Sequence, residues 1–216
     1  MHDGPLVHPP HVARPLRLRP FRGLTLDASR IGAPASVRAF TRPYDQVADR
    51  LESWARRGQL RHDQEAAVYL HEYTIGGVTV RGLVGALDIS RVAQDRVDAA
   101  VIPHEGIHPR QVEDLAARMS QMRVNPAPIL LVHRGPETVR RLLDGLLALA
   151  PDREFTDRGG QHHRVWAIRE PDSLALIERE LAGRQALIAD GHHRYAAYLQ
   201  LRSSEPGPAT EAGLAM

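Results

Sequence analysis

Ala186-Leu-Ile-Ala-Asp-Gly-His-His-Arg-Tyr195 is the most informative stretch of the sequence, and Ala-Ala-Tyr-Leu-Gln-Leu follows it directly. The apolar run before Asp190 predicts a short buried strand, and the segment after Gly191 predicts an amphipathic helix. A strand that passes straight into a helix leaves unpaired backbone N–H groups and the positive end of the helix dipole at the junction. We therefore expect an anion site suited to phosphate, formed by Asp190, Gly191, His192, His193 and Arg194.

A simpler interpretation of the same junction stays open. Asp-Gly is a common turn, and an aspartate before a helix often serves only as its N-cap. Adjacent histidines leave a helix in different directions, so His192 and His193 need not share a role.

Composition restricts how any phosphate could be held. The chain has 216 residues, enough for one or two domains, and it contains 0 cysteines. All 28 of its basic residues are arginine. Disulfides, thiolate nucleophiles and lysine-based phosphate sites are therefore excluded, which leaves arginine, histidine, backbone amides and metal.

Charge and hydropathy exclude other classes of partner. The formal net charge is +2, with acids and bases interspersed, so the sequence does not predict a nucleic-acid partner. No apolar stretch approaches the length of a membrane span, and residues 1–15 resemble a flexible Pro/His tail rather than a signal peptide. We expect a cytoplasmic protein without a membrane partner; the sequence does not indicate its oligomeric state.

Two hairpins are predicted along the chain. Ala66–Ile75 and Val78–Leu87 are rich in β-branched residues and flank Gly76-Gly77, which is a strong hairpin signal. A second hairpin has Asp157-Arg-Gly-Gly160 as its turn and His163–Ile168 as its return strand.

Helices are interleaved with these strands. An edge strand is expected around Pro20 within 16–26 and an apolar strand at 128–133. Helical periodicity predicts four helices. The first covers Tyr44–Leu60, with Gly58 as its C-cap, and the second has one apolar face formed by Val112, Leu115, Ala116, Met119 and Met122. The third runs from Gly135-Pro136 to about Ala150, and the fourth covers Pro171–Leu181 and is ended by Gly183. We predict one α+β domain over 16–202, with a mixed sheet, two β-hairpins and interleaved helices. A loop and the start of a buried segment follow at 203–216, and whether that segment is truncated stays open.

His104-Glu-Gly-Ile-His108 matches the H-E-x-x-H pattern of zinc peptidases, in which both histidines lie on one helical face. Here Gly106 lies inside the motif, and Pro109 pushes His108 away from helical dihedral angles. We predict that 104–108 is the loop before a helix that starts at Pro109, and that it holds no metal. His104 and Glu105 would then be free to line a cleft, where Glu105 could accept a proton, although a solvated loop carboxylate remains an equal alternative.

His162 and His163 lie beside the second hairpin turn. Alternation along a strand puts them on opposite faces, so we do not expect a joint metal site.

Several segments together resemble the domain-of-unknown-function 1015 family. They are Arg19-Pro-Phe-Arg-Gly-Leu24, Arg81-Gly-Leu-Val-Gly-Ala-Leu87, Ile102-Pro-His-Glu105, Asn125-Pro-Ala-Pro-Ile129 and Ile188-Ala-Asp-Gly-His-His-Arg-Tyr195. The resemblance covers about residues 15–202, and the Asp-Gly-x-His-Arg signature is similar to the phosphate-binding motif of the ParB/sulfiredoxin superfamily. That superfamily includes a free-serine kinase, nucleotide-dependent partitioning proteins and sulfiredoxins.

The resemblance implies a ParB/sulfiredoxin-like nucleotide-binding module. It implies that Asp190, Gly191, His192, His193 and Arg194 bind nucleotide phosphates, and that Glu105, with His104, supplies the catalytic base. The expected activity is phosphoryl transfer from ATP or ADP with Mg²⁺ to a small hydroxyl substrate. Two alternatives stay open: a non-catalytic nucleotide-binding regulator, and a degenerate member that binds neither.

Overall fold

In the described part of the chain, strands from distant segments assemble into three sheets around three apolar clusters. The structure, a computed structural model, describes residues 5–26, 40, 42–157 and 159–216. Its strands are β1 (Val12–Ala13), β2 (Leu18–Arg19), β3 (Leu24–Leu26), β4 (Leu60–His62), β5 (Val68–Ile75), β6 (Val78–Asp88), β7 (Ala99–Ile102), β8 (Leu130–Val132), β9 (Arg153–Thr156), β10 (His162–Ile168), β11 (Ala186–Asp190) and β12 (Ala212–Ala215). Its helices are α1 (Val47–Arg56), α2 (Pro109–Met122), α3 (Glu137–Leu147), α4 (Pro171–Ala182) and α5 (His192–Ser204).

Both predicted hairpins are present, and they form most of the larger sheet. Its order is β12-β6-β5-β10-β9, and β2 also pairs with β6. The first turn places Gly76 and Gly77 at φ +56° and +79°, a backbone that glycine adopts without strain. At the second turn Arg158 lies outside the described residues. Helices α3 and α4 pack on this sheet around the buried Trp166 and Ile168.

A smaller sheet carries the strand–helix junction. Its order is β1-β7-β11-β8, with β11 parallel to β7 and antiparallel to β8. Ala186 and Ile188 face the core that α2 and α5 cover, whereas Leu187 is 40% exposed on the opposite face. The apolar run predicted a buried strand, and β11 is buried on one face only.

The mixed α+β prediction is confirmed, with three corrections to individual elements. The first helix ends at Arg56 and Leu60 begins β4, because Gly58 has φ +69° and turns the chain. The strand predicted around Pro20 is interrupted, since only Leu18–Arg19 and Leu24–Leu26 are paired as strands. Helix α5 is not amphipathic in its first half, because every residue from Tyr195 to Leu199 is buried.

Both ends of the chain take part in the sheets. Within the predicted tail, Val12 is buried in β1 and Tyr195 donates a 2.8 Å hydrogen bond to the carbonyl of Pro10. After residue 203, α5 continues to Ser204, and Ala212–Ala215 pairs along β6. Gly213 is required there, because a Cβ would lie 2.3 Å from Cδ2 of Tyr198.

The methionines at the end of the second periodic segment fill core space, as their spacing predicted. Met119 and Met122 are both buried on α2. Within the described ranges, no helix has the length and apolar character needed to cross a bilayer.

Candidate functional site

The junction between β11 and α5 is shaped by Gly191. This residue is the N-cap of α5 at φ +92°, a left-handed conformation that side chains rarely adopt. A Cβ there would also lie 3.0 Å from Cγ2 of Ile129. The amides of the first helical turn have no acceptor inside the helix, and no side chain caps them among the residues described. The junction thus presents unpaired N–H groups beside a closely packed backbone.

Parallel pairing brings a second loop to this junction. Val101 and Ile102 of β7 are in register with Ala186 and Leu187 of β11, so both strands end at the same edge. The residues that follow β7 are His104 and Glu105, and those that follow β11 begin the helix. Ligand sites in open α/β sheets form at such carboxyl ends. The topology therefore places the two predicted halves of the site together.

His192 joins the two halves directly. Its side chain is 3% exposed, and its Nε2 accepts a 3.4 Å hydrogen bond from the backbone N–H of His104. Nδ1 therefore carries the proton, and it faces Oε2 of Glu105 at 3.3 Å. Burial lowers the pKa of His192, against the opposing charge of Glu105. The imidazole is thus neutral near neutral pH, and it holds the 104–105 segment in place.

His193 makes the equivalent contact four residues further along, at the other end of the 104–108 loop. Its Nε2 accepts a 3.1 Å hydrogen bond from the backbone N–H of His108, and the two rings stack at 5.9 Å. Each of the two adjacent histidines therefore anchors one end of the 104–108 loop. In the described structure neither ring nitrogen that accepts these bonds is free for a ligand.

Asp190 and Arg194 form an ion pair across the junction. The carboxylate is 69% exposed and the guanidinium is 25% exposed. Nε of Arg194 would lie 3.0 Å from a Cβ on Gly191, so the guanidinium sits against the glycine. An incoming anion would meet the guanidinium and the helical amides at one place.

Glu105 supplies the carboxylate of the opposing 104–108 loop. Its side chain is 63% exposed, and its Oε1 lies 3.6 Å from Nε2 of His104. One oxygen thus contacts each of two imidazoles while the group remains open to solvent. A carboxylate held in this way can accept a proton from a bound hydroxyl.

The H-E-x-x-H segment is a loop, as the flanking residues predicted. His108 is extended at φ −87°, ψ 116°, and Pro109 is the first residue of α2. Val7 pairs with Ile107 across the loop through bonds of 3.0 and 2.8 Å. Across the part of the chain that the structure describes, no three His, Asp or Glu side chains are grouped to hold a metal ion.

The other histidine pair lies far along the larger sheet. Nε2 of His162 lies 2.8 Å from Oε1 of Glu154. His163 instead shares a hydrogen bond of 3.0 Å with His71, between its Nδ1 and Nε2 of His71, and its ring stacks on Phe155. The two rings have separate partners, in agreement with the predicted alternation.

Three contributors to the site, His108, Pro10 and Val7, were not identified from the sequence. His108 was recognised only as the end of a motif, and its bond to His193 depends on tertiary contact. Pro10 and Val7 were assigned to a tail, although they brace α5 and the 104–108 loop. Val7, which lies next to His8 and Pro9, carries no local pattern that predicts such pairing.

Comparisons with known proteins identify one relationship. The model of a family described as a protein of unknown function, DUF1015, matches residues 12–214. No curated protein and no solved structure matches the chain significantly.

Proposed function

This chain belongs to the DUF1015 family over residues 12–214, and we propose that it is a small-molecule kinase, which transfers a phosphoryl group from ATP or ADP to a hydroxyl. The observation that carries the proposal is the position of Glu105, whose Oε2 lies 3.3 Å from His192 in the first turn of α5. A candidate base and a candidate phosphate site therefore face each other. Phosphoryl transfer requires little more than such positioning and charge neutralisation.

Phosphate binding is supported by the chemistry of the junction. The amides of the first turn of α5 and the positive end of its dipole favour an anion, and Gly191 allows a close approach. Arg194 supplies the positive charge that lysine provides in other nucleotide sites. Its guanidinium would exchange Asp190 for a phosphate, which it can bind with two parallel hydrogen bonds.

Glu105 would take the proton of the acceptor hydroxyl. The hydroxyl oxygen then forms a bond to the terminal phosphorus as the bond from phosphorus to the bridging oxygen breaks. ADP leaves when ATP is the donor, and AMP leaves when ADP is the donor. The proton passes from Glu105 to solvent, and His192 keeps the carboxylate oriented during the step.

Mg²⁺ fits this site as a partner of the nucleotide. It binds mainly to phosphates and waters, so one protein carboxylate is sufficient, and it would neutralise the charge on the transferring group. Asp190 becomes available as that ligand if Arg194 turns to the phosphates, because its carboxylate is largely exposed.

The test is incubation of the purified protein with labelled ATP or ADP, Mg²⁺ and a panel of small hydroxyl compounds that includes free serine. We expect a phosphorylated product that Glu105→Gln reduces by at least about 100-fold, the usual contribution of a general base. Glu137→Gln, an exposed carboxylate on α3, is the matched control and should retain activity. No transfer above the Glu105→Gln background would refute the assignment.

Calorimetry with nucleotide alone separates the kinase from its alternatives. Arg194→Ala should weaken binding, whereas Arg22→Ala, whose guanidinium contacts the carbonyl of Gln64, should not. Binding that depends on Arg194 without any transfer would instead identify a nucleotide-binding regulator. Binding of no nucleotide would identify a degenerate scaffold.

A further inference from the structure

A groove opens beside the candidate site on the uncovered face of the smaller sheet. Its volume is about 430 Å³, which suits a small molecule. We call it the Arg96 groove, and its lining residues are His8, Arg96, Ile102, Pro103, His104, Gln185 and Leu187. The sequence did not indicate it, because these residues are brought together by parallel pairing and by the N-terminal segment.

The Arg96 groove contains a guanidinium that forms no ion pair within the described residues. Arg96 has no carboxylate partner among the residues described, and no acidic side chain lines the groove. A second groove, between β2 and α4, is a useful contrast. There Arg17 is paired with Glu178 at 3.1 Å, and both residues line it. Of these two grooves, only the Arg96 groove offers a free guanidinium to an anion.

The segment that bears Arg96 is held in place by the sheet. The side-chain amide of Gln185 donates hydrogen bonds of 3.0 Å to the carbonyl of Arg96 and 2.9 Å to that of Ala99. Ile102 and its register partner Leu187 form an apolar floor below. The backbone that bears Arg96 is therefore held in place beside a small apolar surface, and the exposed Arg96 side chain can reach over it.

His104 belongs to both the groove and the candidate site. It lines the Arg96 groove, and its ring contacts the ring of His192 at 4.6 Å. The next residue is Glu105, the proposed base. A molecule anchored at Arg96 would thus extend toward the carboxylate that takes its proton.

We infer that the Arg96 groove binds the carboxylate of the phosphoryl acceptor, and that the acceptor is a short hydroxy acid without an amino group. This inference rests on the proposed function, since it names the substrate class of the same site. Arg96 recognises the carboxylate, and the apolar floor accepts a two- or three-carbon skeleton. An ammonium group would find no carboxylate in the groove lining, so an amino acid of the same size binds less well.

Three compounds with the same three-carbon skeleton test the inference. Glycerate has a carboxylate, serine has a carboxylate and an ammonium group, and glycerol has neither; each has a primary hydroxyl. Binding to the full chain is measured by calorimetry or by ligand-observed NMR, without nucleotide. We expect glycerate to bind at least about tenfold more tightly than serine, which corresponds to about 1.4 kcal/mol, and glycerol not to bind measurably. Equal binding of glycerate and serine, or tighter binding of serine, would overturn the inference.

Two variants locate the binding. Arg96→Gln should weaken glycerate binding by about tenfold or more, whereas Arg17→Gln, in the second groove, should leave it unchanged. Retention of full affinity in Arg96→Gln would place the carboxylate elsewhere and refute the proposed contact. Because Arg96 is exposed, the unfolding midpoint of the variant should match that of the parent.

Failure of the inference and failure of the proposed function give different results. Arg96-dependent glycerate binding without phosphoryl transfer would support the groove and refute the kinase. Transfer to serine in preference to glycerate would support the kinase and refute the groove specificity. Transfer to glycerate that Arg96→Gln impairs through KM and Glu105→Gln impairs through kcat would support both.

Discussion

Replacement of His192 by alanine should loosen the loop that carries Glu105. The backbone N–H of His104 would lose its acceptor, which costs about 1 kcal/mol for a bond of this kind. The missing ring would leave a void of about 60 Å³ in a buried position, which adds about 1.4 kcal/mol. We therefore expect the free energy of unfolding to fall by about 2–3 kcal/mol.

Urea unfolding followed by circular dichroism measures this loss, and hydrogen exchange locates it. The amides of His104 and Glu105 should exchange faster in His192→Ala, whereas amides in β5 and β6 should follow only the global change. His192→Gln can place a carbonyl oxygen near the same N–H group, so it should recover part of the stability. A matched control is His162→Ala, because His162 is exposed and its partners, Glu154 and the hydroxyl of Thr156, lie on the exposed neighbouring strand.

The reasoning would be refuted by a loss below about 0.5 kcal/mol together with unchanged exchange at His104. Such a result would mean that the 104–108 loop is held without the imidazole. His193 and the Val7–Ile107 pairing would then be its sufficient anchors.

Three further predictions concern the larger sheet and its flanking elements. Burial, with the neighbouring His163, lowers the pKa of His71 to about 4, whereas the unfolded chain protonates this residue at about 6.5. The free energy of unfolding should therefore decrease as the pH is lowered from about 6.5 to 4, by up to about 1.4 kcal/mol per pH unit. His71→Gln should reduce this pH dependence, and an unchanged slope in the variant would contradict the assignment. Gly213→Ala should destabilise the fold by about 2 kcal/mol or more in urea unfolding, because the new Cβ would meet the Tyr198 ring at 2.3 Å; a neutral effect would show that the ring can move aside. Gly145→Ala should instead raise the free energy of unfolding by about 0.5–1 kcal/mol, because this glycine lies within α3 and no atom lies within 4 Å of an added Cβ. Destabilisation of the variant would contradict that account.

Local signals in the sequence predicted the elements that local physics determines. The Gly76-Gly77 turn needs only its two neighbouring runs, and Gly106 with Pro109 is a local signal that 104–108 is the approach to a helix and not part of one. Leu60 was misassigned because its periodicity continues that of α1, whereas Gly58 at φ +69° ends the helix first. The turn residue outweighed the hydrophobic pattern.

Elements that depend on distant partners were not predictable in this way. β1 and β2 have two residues each, and their pairing with β7 and β6 leaves no periodicity to detect. The junction at Gly191 was predicted because a strand, a glycine and a helix follow one another in sequence. The contact of Glu105 with His192 was not, because it requires β7 and β11 to be neighbours and parallel.

The pairing of β12 with β6 has a consequence for how the protein is made. Leu87 pairs with Gly213, and Val12 with Val101, so both sheets join segments that are synthesised at very different times. Folding slows as contacts become more distant along the chain, and sheets of this kind form in milliseconds to seconds. On the ribosome, the edge of β6 would stay open until Ala212–Ala215 has left the exit tunnel, so a nascent chain stalled before that point should be the form that needs a chaperone.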